Sequence, residues 1–395
     1  MPSGNGTSFS RRSFLQLSAA AAVAGVVTEP MLAAAARHAP IPKDAVKIDS
    51  NENPLGPSQG ARDALSAIAP QGGRYSFDLI DNFEDSFAQL EGLNSECVRA
   101  FPGSSPALHA GVVAFTSLLK SYVTADPGYE AGLFSAAAAH ARVIKVPLTK
   151  TYAHDVKAMI AAAPDAGLFY ICSPNNPTGT LTSHSDIEYL VENKPKDSVV
   201  MVDEAYIHFC DAPSTLDLVK AGKDVIVLRT FSKVYGMAGL RCGFAIARPD
   251  ILKKMSDAGG WNFTPVTAAA AAMASLNDPT LVPERRRINT EVRQQTFAWF
   301  DRNGYSYIAS EANFFMLDMK RPGKEVIDGM ARQKVLIGRI WPVMPTCARI
   351  TVGTQEEMER FQTALQKVMR NTATSAPSAR QSAKIVRRNR APWLC

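Results

Sequence analysis

The sequence predicts an α/β protein with one large and one small domain. We expect the large domain to hold a mainly parallel sheet of seven strands between layers of helices, and the small domain to be α+β. Two observations predict this class. Short apolar runs alternate with helical stretches from about residue 97, and buried strands that alternate with helices form parallel sheets. The length of 395 residues also suits two domains of unequal size.

The seven strand candidates of the large sheet share a short apolar core and lie between turn or helix signals. They are residues 98–101, 122–124, 143–146, 168–172, 199–202, 225–228 and 242–247. The clearest helical stretches between and after them are residues 107–120, 185–193, 215–221 and 267–275. We therefore assign the large domain to residues 76–280.

Residues 281–370 form the predicted small domain. A long charged helix over 283–303 leads into strands at 305–309, 314–319 and 348–352, with helices near 324–333 and 356–370. Separate strands and helices of this kind are typical of an α+β domain. We assign residues 37–75, with a short strand at 46–50, to an N-terminal arm and part of the small domain.

The first 36 residues resemble a twin-arginine export signal. Arg11 and Arg12 are followed by Phe-Leu, then by an alanine-rich apolar run and a small-residue segment at 33–36. The apolar run is too short for a stable membrane anchor. We expect export to the periplasm by the twin-arginine machinery, and a cytoplasmic protein if this leader does not function.

The positive charge of the chain lies at its ends. The net charge is +6, of which residues 371–395 supply +5 and the leader +1. The body is thus close to neutral, and no nucleic-acid partner is predicted for it. We expect 371–395 to be a disordered basic tail. None of the six cysteines forms a Cys-x-x-Cys pair, so no metal site is predicted.

Three polar segments directly follow three successive strands of the predicted large sheet. They are Ser-Pro-Asn-Asn-Pro-Thr-Gly at 173–179, Asp-Glu-Ala-Tyr at 203–206, and Thr-Phe-Ser-Lys at 230–233, which continues to Gly-Leu-Arg-Cys-Gly at 239–243. Ligands of open parallel sheets bind at the carboxyl ends of the strands. An amide, an acid and a lysine should therefore meet in one crevice.

This set of groups fits pyridoxal 5′-phosphate (PLP). The aldehyde of PLP needs an amine, and its ring nitrogen stays protonated beside a carboxylate, so that the ring acts as an electron sink. Its 3′-oxygen needs hydrogen-bond donors. Its phosphate needs hydroxyls, a cation and the amides of a helix start.

At these segments the chain resembles the fold-type I PLP-dependent aminotransferases, within them the histidinol-phosphate aminotransferase-like group, over about residues 44–370. The resemblance implies that Lys233 is the Schiff-base lysine, which also moves a proton between Cα and C4′. It implies that Asp203 pairs with the ring nitrogen. The other implied contacts are Asn176 and Tyr206 at the 3′-oxygen, and Ser232 and Arg241 at the phosphate.

Further positions follow from the same resemblance. Ser104 and Ser105 open a helix where relatives bind phosphate, although Pro106 stands where relatives carry an acid. Tyr129 matches an aromatic residue that stacks on the cofactor ring. Tyr75 matches a tyrosine that reaches the phosphate of the partner subunit, so a homodimer is expected.

Four residues are predicted at the substrate. Arg349 and Arg339 match two arginines at the substrate ends, since a planar guanidinium binds a carboxylate through two hydrogen bonds. Asn313 matches a polar residue near the substrate. Asn53 lies in a turn-rich loop near the site entrance of relatives.

The predicted function is ping-pong transfer of an amino group between an amino acid, or an amino-alcohol phosphate, and a 2-oxo acid. A PLP-dependent decarboxylase or lyase is the alternative, because threonine-phosphate decarboxylases are similar to this group. A non-catalytic PLP-binding protein is a further alternative. Export would separate the protein from cytoplasmic histidine synthesis, so we expect a substrate other than histidinol phosphate.

Overall fold

The computed structural model describes residues 41–260 and 263–373, with the side chains of 371–373 left aside. The predicted leader, residues 1–36, lies outside the described residues. So do residues 374–395 of the predicted tail, whereas its first three residues continue the last helix.

The predicted seven-stranded sheet is confirmed. Its strands, in chain order, are β2 (Val98–Phe101), β3 (Ser121–Asp126), β4 (Val143–Pro147), β5 (Ala166–Cys172), β6 (Val199–Asp203), β7 (Val225–Thr230) and β8 (Gly243–Ile246). Their order across the sheet is β2-β8-β7-β6-β5-β3-β4. Only β8 runs antiparallel to its neighbours. Every residue of β5, β6 and β7 is buried, as expected for central strands covered on both faces.

Nine helices within the described residues pack with this sheet. They are α1 (Gln59–Ile68), α2 (Phe77–Glu91), α3 (Ser104–Phe115), α4 (Ala131–Ala138), α5 (Val156–Ala162), α6 (His184–Asn193), α7 (Leu216–Lys220), α8 (Pro249–Gly259) and α9 (Val266–Leu276).

The predicted helix over 107–120 is wrong at both ends. Helix α3 starts at Ser104. The residue before it, Gly103, has a φ of 97°, which is not helical, and it is the last residue of the preceding loop. It stops at Phe115, because Thr116 is extended and its hydroxyl binds the carbonyl of Val112 at 2.7 Å. Residues 117–120 then form a tight turn.

A second hydrophobic core lies under a three-stranded antiparallel sheet. The elements of this part are α10 (Leu281–Asn303), β9 (Ser306–Ile308), β10 (Phe314–Asp318), α11 (Gly323–Arg332), β11 (Val335–Ile337), β12 (Cys347–Thr351) and α12 (Gln355–Ala373). The sheet has the order β12-β10-β9. The short strand β1 (Val46–Ile48) pairs in parallel with β11, a strand that the sequence did not reveal. Val46 and Ile48 are buried in this second core, which fixes the residues that follow β1 beside the strand ends of the large sheet.

Within the described ranges, no helix is long and apolar enough to cross a membrane, and no cluster of side chains is suited to a metal ion. The five cysteines in those ranges are all free.

Candidate active site

The carboxyl ends of β5, β6 and β7 bring the predicted amide, acid and lysine together. Asp203 is the last residue of β6 and pairs in register with Cys172, the last residue of β5. Lys233 follows the end of β7 at Thr230. Its charge stabilises the Asp203 carboxylate, so the two groups lie near each other.

Asp203 is a buried carboxylate with two neutral donors. Its Oδ1 accepts the backbone N–H of Ala205 at 3.1 Å, and its Oδ2 accepts the hydroxyl of Tyr170 at 2.8 Å. Burial raises the pKa of Asp203, while these two donors and the charge of Lys233 lower it. A second cation beside the carboxylate would offset the cost of burial, and the protonated ring nitrogen of PLP is such a cation.

Lys233 carries an amine that loses its proton unusually easily. Burial, followed by the positive charge of Arg349, lowers its pKa to about 8, against the opposing effect of Asp203. Its Nζ donates to the carbonyl of Asn51 at 3.2 Å and lies 5.5 Å from the centre of the Tyr206 ring. A neutral amine is the form that attacks a carbonyl or accepts a proton.

Asn51, which is not among the residues predicted from the sequence, organises this side of the site. It is buried and left-handed, with φ 54°. Its amide donates to the hydroxyl of Tyr206 at 3.1 Å, and its carbonyl accepts from both Lys233 and Asn313. The available signal was the turn-rich segment at 51–57, because Asn is one of the few residues that adopt this conformation readily.

Tyr206 is held in place from two sides. Asn51 fixes its hydroxyl, and its ring packs edge-on against Phe314 with 4.8 Å between centres. Burial raises its pKa, partly offset by Arg349. The phenol therefore keeps its proton and is able to donate a hydrogen bond, which is what the role expected of it at the 3′-oxygen requires.

The residues predicted at the phosphate converge at the start of α3. Arg241 Nη1 lies 3.5 Å from the hydroxyl of Ser232. Gly103 has a positive φ, and a Cβ there would collide with the Arg241 guanidinium, so glycine at this position lets the guanidinium approach the helix start. Ser104 and Ser105 open the helix. A cation, hydroxyls and free helix-start amides are the donors that a phosphate needs, so these residues fit PLP.

Arg349 joins the two cores of the protein at the site. Its Nη1 donates to Oδ1 of Asn176 at 2.8 Å, and its Nη2 donates to the carbonyl of Asp49 at 2.8 Å. Burial lowers its pKa to about 10, and the nearby charge of Arg339 adds to this effect. No acceptor within the described part of the chain binds its buried Nε. Because Oδ1 of Asn176 accepts this bond, the amide NH₂ is the group left to donate to a ligand.

Arg339 forms an ion pair with Glu130, with 2.7 Å between Nη1 and Oε2. Its guanidinium lies over the Trp341 ring at 4.7 Å from the centre, and Arg349 lies over the same ring at 5.6 Å. Tyr129, the neighbour of Glu130, has its hydroxyl 3.4 Å from that of Ser105. Trp341 and Glu130 were not selected from the sequence, where nothing marked them.

The remaining three predicted residues are Asn53, Asn313 and Tyr75. Asn53 donates to the carbonyl of Val234 at 3.0 Å, which ties its loop to the residue after Lys233. Asn313 donates to the carbonyl of Asn51 at 3.2 Å. Tyr75 is 72% exposed and stacks on Phe77.

The arrangement suits proton transfer at an amino-acid carbon. When bound, PLP supplies the electron sink that stabilises negative charge at the substrate Cα. With PLP bound, Asp203 would hold the positive charge of the ring nitrogen, and Arg349 is placed to bind a carboxylate. Lys233 Nζ, whose pKa is lowered, would be the group placed to move a proton at the substrate Cα.

Comparisons with known proteins show the family of this chain. The model of the family "Aminotransferase class I and II" matches residues 43–365. A histidinol-phosphate aminotransferase of Symbiobacterium thermophilum is 35% identical over 82% of this chain and 91% of its own length. One of Moorella thermoacetica is 34% identical over 83% of this chain and 86% of its own length.

Solved structures show the same fold. A putative histidinol-phosphate aminotransferase of Erwinia carotovora atroseptica matches with a TM-score of 0.80 and 30% identity, over 83% of this chain and 97% of that one. The histidinol-phosphate aminotransferase of Sinorhizobium meliloti, solved with PLP, matches with a TM-score of 0.76 and 23% identity, over 93% and 99% of the two chains. The predicted fold type I is confirmed. This chain belongs to the class I and II aminotransferase family, and it is a PLP-dependent transaminase.

Proposed function

We propose that this aminotransferase takes α-amino acids as donors and 2-oxo acids as acceptors, and that Arg349 binds the carboxylate of both. The observation that carries the proposal is the buried guanidinium of Arg349. It is fixed by Asn176 and by the Asp49 carbonyl, and it keeps a buried Nε that binds no acceptor in residues 41–260 and 263–373. A buried, oriented guanidinium is suited to two parallel bonds with a carboxylate.

Histidinol phosphate is the second candidate donor. It is favoured by the activity named for the relatives at 34% and 35% identity, and opposed by the export signal expected at residues 1–36. A panel of amino acids and histidinol phosphate, each with 2-oxoglutarate or pyruvate, separates the candidates. The α-amino-acid proposal expects oxo-acid product and pyridoxamine phosphate with several amino acids. Turnover of histidinol phosphate alone would contradict it.

A homodimer is part of the proposal, supported by an exposed aromatic cluster. Tyr75, Phe77 and Phe263 are 72%, 55% and 48% exposed, with ring centres 5.6 to 5.9 Å apart. Exposed aromatic patches of this kind are typical of interfaces. Sedimentation should show a dimer that Phe77→Asp weakens, whereas the control Leu118→Asp, at a residue 80% exposed elsewhere, leaves it intact. A wild-type monomer would refute this part.

Export by the twin-arginine route is the last part, supported by Arg11 and Arg12 before an apolar run. Cell fractionation of the full chain tests it. We expect periplasmic enzyme from the native sequence and cytoplasmic enzyme when both arginines are changed to lysine. If the native protein and the double-lysine variant had the same distribution between periplasm and cytoplasm, export by this route would be contradicted.

A further inference from the structure

We propose that Glu130 is a specificity-determining residue that restricts the donor to α-amino acids with an uncharged side chain. This inference rests on the proposed function, because it assumes that Arg349 binds the α-carboxylate. It concerns the opposite end of the substrate, where Arg339 is the second cation.

Arg339 and Glu130 form an ion pair, with 2.7 Å between Nη1 and Oε2. The side chains are 40% and 27% exposed, so the pair is half-buried and less screened than a surface pair. Its charges cancel, and an anionic substrate tail would have to displace the Glu130 carboxylate to reach Arg339.

The Glu130–Arg339 pair lies close to Arg349. Both guanidinium groups lie over the ring of Trp341, at 4.7 Å for Arg339 and 5.6 Å for Arg349. The charge of Arg339 also lowers the pKa of Arg349. A ligand held at Arg349 therefore lies near the Glu130–Arg339 pair.

The surroundings of the pair are held by buried contacts. Trp341 is 2% exposed, and its Nε1 donates to the carbonyl of Gly128 at 3.4 Å, two residues before Glu130. Tyr129 lies between Gly128 and Glu130 in the chain, with its hydroxyl near that of Ser105. These contacts hold Glu130 beside Arg339. A cation neutralised in this way favours an uncharged tail, whereas a phosphate or carboxylate tail needs an unpaired cation.

A binding experiment on the holoenzyme tests this without turnover. The probes are glutarate and glutaramate, which have equal length, lack an amine, and differ in having a carboxylate or an amide at the far end. Calorimetry at low ionic strength gives both dissociation constants for the wild type, for Glu130→Gln, and for the control Glu291→Gln, whose partner Arg287 lies on the exposed face of α10.

We expect the wild type to bind glutaramate at least as tightly as glutarate. Glu130→Gln should shift the preference toward glutarate by about tenfold, as expected when one partly exposed cation is uncovered, and Glu291→Gln should not shift it. A wild type that prefers glutarate, or a ratio that Glu130→Gln leaves unchanged or moves toward glutaramate, would overturn the proposal. The proposed function is tested separately by the donor panel, and it fails if no amino acid in that panel gives an oxo acid.

Discussion

The hydroxyl of Tyr170 donates to Oδ2 of Asp203 over 2.8 Å, in a part of the protein where both side chains are buried. Tyr170 lies on β5 and Asp203 ends β6, two adjacent parallel strands. The bond stabilises the ionised carboxylate against the cost of its burial. We therefore regard Tyr170 as a positioning residue for the acid that holds the cofactor ring nitrogen.

Replacing Tyr170 by phenylalanine should weaken PLP binding by roughly tenfold or more, since a hydrogen bond to a charged group contributes about 1.5–3 kcal/mol. Titration of the apoenzyme with PLP measures this. A PLP analogue with carbon in place of the ring nitrogen is the control, because its affinity should change little. Equal loss for both ligands would indicate a merely structural role for Tyr170.

The lowered pKa of Lys233 predicts how cofactor attachment depends on pH. The neutral amine reacts, and its fraction rises as the pH rises toward the pKa of about 8. The rate of PLP attachment to the apoenzyme should therefore rise with pH, reach half of its plateau near pH 8 and level off above that. Arg349→Gln removes a positive charge that lowers this pKa, so its profile should move to higher pH. An inflection near the ordinary value for lysine would contradict the account.

Arg349→Lys should lower kcat/KM for amino acids by about 100-fold, because disrupting a buried two-bond contact with a carboxylate costs roughly 3 kcal/mol. Lysine offers a point charge and cannot replace the two parallel bonds of a guanidinium. Initial rates on a donor amino acid measure the loss. The Arg349→Lys variant should bind PLP with an affinity near that of the wild type. Arg287→Lys, an exposed control on α10, should keep near wild-type activity. A loss below threefold would exclude Arg349 as the carboxylate site.

The sequence was sufficient for the large sheet, because its strands are buried on both faces and appear as uninterrupted apolar runs. It also predicted that Lys233, Asp203 and Asn176 lie at neighbouring strand ends, as they do in the structure, since each follows such a run within a specific motif. The strand β11 was not predicted, because its three residues, Val335–Ile337, are too few to show a periodic pattern.

Residues that act through distant contacts could not be found in the sequence. Asn51 meets Lys233 and Thr351 across 182 and 300 positions of the chain, and Trp341 meets Gly128 across 213. Such contacts depend on the packing of the two cores. The role of Glu130 depends on them too, because an acid next to Tyr129 has no special meaning until Arg339 lies beside it.

The covalent position of the cofactor tests the central claim most directly. Reduction of the holoenzyme with borohydride, followed by digestion and mass spectrometry, should place the PLP mass on the peptide that contains Lys233. The Lys233→Ala variant should carry no such adduct and lose the absorbance band of lysine-bound PLP. An adduct on another lysine, or the same band in Lys233→Ala, would contradict the account.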